Sequence, residues 1–373
     1  MARQGTTRRR LLKRLGALVP IGLAGCGGAG DETDAPTPTS TDSPGVTPTP
    51  TGTGDVQTDT GTPTHTDTGT ATATATPTDT PTISPDSEWR EGASMPAART
   101  EVRAVAAGGE LYVIGGLTPD GATGAVAVYD PTADAWRSVQ PIPEPRHHIA
   151  AAVVDGRIHV VGGFGGDDFS STADVWAYDR DADEWIDREP LPEPLGAMTA
   201  ETIDGEIYVA GGVAGDGSVV ADLYRYDPDG DAWTALTPMP TPREHLGSGT
   251  AAGRLFVVGG RQHGIGENVG ANEVYHPEND AWTELPPMPT PRGGIDATGI
   301  GNRVFAVGGE EQSGTFEEVE AYDAELASWV TMPPLPTPRH GLGVATLDGE
   351  LYAASGGPEP GATYSDVLEI LGP

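Results

Sequence analysis

From Trp89 onward the chain repeats one pattern six times with almost no slippage. Tryptophans stand at Trp89, Trp136, Trp185, Trp233, Trp282 and Trp329, and glycine pairs end at Gly116, Gly163, Gly212, Gly260, Gly309 and Gly357. Each Trp precedes the end of the next pair by 27 residues in five copies and by 28 in the last, and Tyr129, Tyr178, Tyr226, Tyr275 and Tyr322 each precede the next Trp by 7. Units of 47 to 49 residues are too small to bury an apolar face alone, so they must stack on one another.

Residues 146–185 show the unit most clearly. Two apolar runs flank Asp155-Gly156, the second ends in Gly162-Gly163, and a third ends in Tyr178-Asp179 before Trp185. Asp-Gly between alternating apolar runs signals a two-residue hairpin, because its mirror-image turn needs positive φ at both central residues. Gly-Gly, Tyr and Trp in this register resemble the Kelch repeat over residues 87–372. The resemblance implies an all-β, six-bladed Kelch-type β-propeller with four antiparallel strands per blade. Trp89 lacks a preceding glycine pair and Gly357 lacks a following Trp. The strand near Trp89 is therefore expected to close the ring as the outer strand of the last blade, beside residues 367–370, covering two exposed edges. The extra residue of the last unit predicts a bulge at Ser355.

The chain upstream is of a different kind. Residues 1–25 hold Arg8-Arg9-Arg10 and Lys13 before a short apolar run, the layout of an export signal of the twin-arginine type. The run is too short to span a bilayer, which needs ~20 residues. Leu23-Ala24-Gly25-Cys26 resembles a lipobox, and Cys26 is the only cysteine. The expectation is export to the outer face of the cell membrane with a lipid anchor at Cys26, the chain's one membrane contact; a plain signal beside an idle Cys26 is the alternative. Residues 26–86 read as a disordered Thr/Pro/Asp-rich tether, with 21 threonines between Thr33 and Thr82. Residues 87–373 are the propeller, expected to be a monomer.

The formal charge is −34, and removing the six cations of residues 1–25 takes it to −40. Phosphate ligands would be repelled, so nucleic acid is not expected as a partner. Salt adaptation is the favoured reading and a merely acidic exported protein the other, since at molar salt the Debye length falls to roughly 3 Å.

In a four-stranded antiparallel blade, the loop after Gly-Gly shares a face with the entry to the inner strand. The Gly-Gly to Tyr segments vary in length while the Tyr to Trp segments stay at 7, and variable loops on a repeated scaffold are where recognition is specialised. The ligand-binding candidates on that face are Phe164, Asp167, Asp168, Phe169, His148, His245, Arg261, His263, Glu310 and Glu311, with His147 and His340 also at inner-strand starts. Adjacent offsets at 147/148 and 340/245 are expected to point to opposite sides of a strand, so no metal is expected. Arg99, Arg146, Arg243, Arg292 and Arg339, each 10 residues after a Trp, recur too regularly to bind an asymmetric ligand and are expected to bond neighbouring carbonyls. Asp227-Pro228-Asp229-Gly230-Asp231 lacks the closing Glu of a calcium loop and reads as a turn.

Two functions follow. The favoured one is a non-catalytic, surface-tethered module binding an unknown protein or carbohydrate without a cofactor. The other is a carbohydrate-active enzyme, since exported Kelch-like propellers include a sialic-acid mutarotase. They also include copper radical oxidases, whose Cys–Tyr cofactor is excluded here because Cys26 lies in the lipobox. A pocket with convergent carboxylates and imidazoles would favour the enzyme; a flat face would favour the module.

Overall fold

The computed structural model describes residues 82–166 and 169–373. The expected export signal, Cys26, nearly all of the tether, Asp167 and Asp168 lie outside them. Among the described residues there is no helix, hence none long and apolar enough to cross a membrane. They form six four-stranded antiparallel sheets. In the second, Ala150–Val154, Arg157–Val161, Val175–Asp179 and Glu184–Asp187 pair in chain order. Its hairpin turns at Asp155 and Gly156 with φ of 49° and 76°, the positive pair that the Asp-Gly signal requires.

The inner three strands of each sheet are largely buried on both sides because each sheet packs between two others. Val105, Tyr112 and Val128 of the first sheet, for example, share one buried cluster with Ala151, Ile158 and Trp176 of the second. The first strands touch in order, from Arg103–Ala107 through Ala150–Val154, Thr199–Ile203, Gly247–Ala251 and Asp296–Ile300 to Gly343–Leu347, and the last of these touches Arg103–Ala107. Trp89–Glu91 pairs antiparallel with Leu368–Leu371, Trp89 opposite Leu371. Packing starts upstream of the expected domain start at residue 87: Ile83 is fully buried against Phe305, Val319 and Leu351.

The recurring Trp has a specific task. Trp136 Nε1 donates to the Ala93 carbonyl at 2.6 Å, and the Ala93 amide donates to Asp134 Oδ1 at 2.7 Å. Asp134 Oδ1 also accepts from Tyr129 Oη, so Tyr, Asp and Trp of one sheet grip the segment leaving the previous one. Trp185 and Asp183 hold Gln140, Trp233 and Asp231 hold Glu189, and Trp282 and Asp280 hold Thr237 in the same way. Asp231 is thus a fastener within the turn expected at 227–231.

The arginines bond carbonyls as expected: Arg339 reaches Ser355 and Ala353, and Arg292 reaches Gly308 and Ala306. Three also meet a buried carboxylate unforeseen from the sequence, Arg243 with Glu273, Arg292 with Glu320 and Arg339 with Glu369.

The expected bulge at Ser355 is absent. Ser355 and Gly356, with φ of 63° and 103°, hold the places of Gly115 and Gly116, whose φ values are also 63° and 103°. The sixth pair is therefore Ser355-Gly356, 27 residues after Trp329 like the others, and Glu350–Ala354 is an ordinary five-residue strand.

Candidate functional site

A cavity of about 450 Å³ opens where all six post-glycine loops meet. Seven of the sequence candidates line it: Phe164, Phe169, His148, His245, Arg261, His263 and Glu310. Glu311 does not; it is exposed and takes the hydroxyl of Ser313. Leu117, Val213, Val219 and Ile265 make the walls largely apolar. The Phe169 ring remains half exposed.

The floor is set by a backbone device. Glu101, His148, Ala197, His245, Gly294 and Gly341 each lie 12 residues after a Trp, and all six have positive φ, between 52° and 66°. The amides of His148, Ala197, His245, Gly294 and Gly341 each donate to the carbonyl of the equivalent residue one repeat earlier. This conformation corrects the expectation that adjacent histidines point apart. It breaks the alternation of an extended strand, so the His147 and His148 rings lie 4.7 Å apart, and His148, His245 and His340 all line the cavity.

Hydrogen-bond logic fixes the imidazoles. His147 Nε2 faces the Gly166 carbonyl at 3.3 Å and so donates to it, and its Nδ1 lies 2.5 Å from His148 Nδ1. His148 Nε2 lies 3.2 Å from Glu101 Oε2. His340 Nδ1 donates to the Gly357 carbonyl at 3.1 Å, which turns its Nε2 toward Glu101 Oε1 at 3.4 Å and Glu310 Oε2 at 3.7 Å. His245 Nδ1 contacts Glu244 Oε2.

Burial raises the Glu101 carboxyl above its usual range, against the pull of His340. It drives His148 and His245 well below the ordinary imidazole value, with His147 adding to the effect at His148 and Arg261 at His245. Both shifts favour the neutral forms, so the proton affinities of the carboxyl and of the two imidazoles move toward each other. Arg261 is committed, its Nε to Glu244 Oε1 at 2.7 Å and its Nη1 to Glu310 Oε1 at 2.8 Å.

Below the floor a space of about 40 Å³ leads to the buried Arg103–Asp296 pair, and beyond that lies a cavity of about 200 Å³ holding Glu201. The sequence reading missed Glu101 and Glu244. The signal was present: Glu101 shares its offset with His148 and His245, and Glu244 shares that of His147 and His340.

Comparison with known proteins bears on the fold. No curated protein matches the chain. The chain is similar to the solved "Structure of YjhT", with a TM-score of 0.65 and 16% identity over 74% of this chain and 95% of that one. Such identity speaks for the fold alone. The Attractin/LZTR1 beta-propeller family matches residues 111–368, well over half of the sequence, and the repeated four-stranded sheets are what such a fold requires: the chain belongs to the Attractin/LZTR1 beta-propeller family.

Proposed function

We propose that the protein is a carbohydrate-active enzyme that transfers protons to and from a small neutral sugar in the 450 Å³ cavity. One observation carries this: both oxygens of the buried Glu101 face imidazole Nε2 atoms, His148 at 3.2 Å and His340 at 3.4 Å. Interconversion of sugar anomers needs an acid for the ring oxygen and a base for the anomeric hydroxyl. A carboxyl and an imidazole whose proton affinities are moved toward each other fill those parts. The cavity volume lies within the roughly 300–1,000 Å³ of small-molecule sites. Arg261, already bonded to two carboxylates, offers no free cation for an anionic sugar.

The fold reading behind this is a closed ring of six blades, supported by the six four-stranded sheets, the contact of the last inner strand with the first, and the Trp89 pairing with Leu371. Export by a twin-arginine route and lipid anchoring at Cys26 rest on residues 8–26 alone. The second reading, a non-catalytic module for a glycan or protein, is favoured by the half-exposed Phe169 ring on the rim. A glycan array in molar salt, followed by NMR exchange between anomers of each hit, separates the two. Binding without accelerated exchange leaves the module, and acceleration abolished by Glu101→Gln establishes the enzyme.

A further inference from the structure

We propose that Glu101, His148 and His245 bind a divalent first-row transition-metal ion at the neck of the channel. The inference rests on the reading of the cavity as the functional site and supplies that site with a cofactor. One ligand atom from each of the three residues lies within 4.8 Å of the other two. An ion at their centre, held at about 2.0–2.2 Å, requires each to move in by under about 1 Å. Two imidazoles and a carboxylate suit zinc, cobalt or iron, whereas calcium and magnesium take oxygen ligands.

Three independent features point the same way. Elements of an outer shell are present: His148 Nδ1 lies against His147 Nδ1, and the Glu244 carboxylate, in contact with His245 Nδ1, is itself held by Arg261 at 2.7 Å. That is the carboxylate–histidine arrangement which orients an Nε2 ligand. Donors are missing: no hydroxyl, amide or guanidinium among the described residues donates to the Glu101 carboxylate, while His148 Nε2 and His340 Nε2 face it at 3.2 and 3.4 Å. A cation satisfies this acceptor cluster. The backbone also resists these side chains. Positive φ suits Gly294 and Gly341, yet the same conformation carries a side chain at 101, 148 and 245, as it does at Ala197, and strain of this kind gathers at functional sites.

The space of about 40 Å³ beneath the three residues leaves room for a water on the ion. With the ion present Glu101 and His148 are ligands, so the Glu101–His148 pair serves a sugar only in the stripped protein, and in the loaded protein proton transfer falls to His340 and Glu310, 3.7 Å apart.

The test uses tag-free protein stripped with chelator in molar KCl and titrated calorimetrically with Zn²⁺ and Co²⁺, with Mg²⁺ and Ca²⁺ as controls. One equivalent of Zn²⁺ or Co²⁺ binds per chain, and the Co²⁺ form shows ligand-field absorption. Glu101→Gln and His245→Gly lose the stoichiometric binding. Glu244→Gln weakens it roughly 10- to 100-fold. Glycine suits the backbone at 245, and melting of the stripped variant reports whether the fold is kept. No Zn²⁺ binding to the parent protein, binding unchanged in Glu101→Gln and His245→Gly, or Mg²⁺ bound as tightly as Zn²⁺ overturns the proposal. Sugar binding to the stripped protein is scored separately: sugar without metal sinks only the metal site, and metal without sugar sinks only the carbohydrate reading.

Discussion

Glu101 Oε2 lies 3.2 Å from His148 Nε2, and the two residues occupy the same place in consecutive repeats. A position that supplies plain ring geometry elsewhere, as Gly294 and Gly341, here supplies a carboxyl and an imidazole. The propeller thus makes an asymmetric site by varying side chains on a symmetric backbone.

If this pair moves protons for a sugar, Glu101→Gln lowers the anomer exchange rate by roughly 10²–10⁴-fold, the usual contribution of a positioned acid–base group. Sugar affinity changes little, because the amide keeps the shape of the carboxyl. NMR exchange spectroscopy reads the rate and titration of the same sample reads the affinity. An equal loss in both would assign Glu101 to binding alone.

Glu201, in the opposite cavity, has its carboxyl pushed by burial up to about 7, with Arg103 pulling the other way. Its folded value lies above the unfolded one. Its stabilising contribution is thus complete below about pH 4.5 and is lost as pH rises to about 7, by at most about 3 kcal/mol for a half-buried group. Glu201→Gln removes that loss, so the variant melts higher than the parent at pH 8 and the advantage shrinks at pH 4. A constant difference across that range would show that Glu201 titrates normally.

The buried ion pairs differ sharply from the exposed ones. Arg292 is fully buried with Glu320, so Glu320→Ala strands a cation and costs about 3–5 kcal/mol. Glu144, which bonds Arg146 from a side chain 65% exposed, costs under about 1 kcal/mol when replaced by Ala. Paired denaturant titrations measure both, and similar losses would refute the distinction.

Ile83 is fully buried beside Phe305 and Leu351, and Trp89 Nε1 bonds the Pro333 carbonyl at 3.0 Å. Ile83→Ala is expected to cost about 2–5 kcal/mol. Deleting residues 82–95 goes further, since it bares the Leu368–Leu371 edge. An unchanged melting curve for the deletion would show that the N-terminal strand is dispensable.

Much of the sheet architecture was legible because it repeats: the glycine pairs and tryptophans recur six times in register, which is what the resemblance to four-stranded blades rests on, and Asp155-Gly156 marks a hairpin that forms. Conformation that breaks a local rule was not legible. Ser355 reads as an insertion because the sequence marks the pair by two glycines, while the backbone marks it by two positive φ values. The histidines read as pointing apart because strand alternation was assumed up to residue 148, where the chain has left the extended region. Glu320 escaped notice because a buried carboxylate inside an apolar run looks like an exposed one until its arginine is placed.

Salt should act on the surface and leave these interior pairs alone. A chain with a formal charge of −34 repels itself when compact, and the Debye length of about 10 Å at 0.1 M shrinks to about 3 Å at 1 M. The melting temperature is therefore expected to climb between 0.1 and 2 M KCl. The Arg292–Glu320 contact is shielded from the ions that bring this about. The deficit of Glu320→Ala should accordingly stay constant across the same series, while that of Glu144→Ala vanishes. Melting the parent and both variants side by side tests the two claims together. A parent curve that does not move with salt removes the halophilic reading, and a Glu320→Ala deficit that fades with salt removes the claim that its pair is buried.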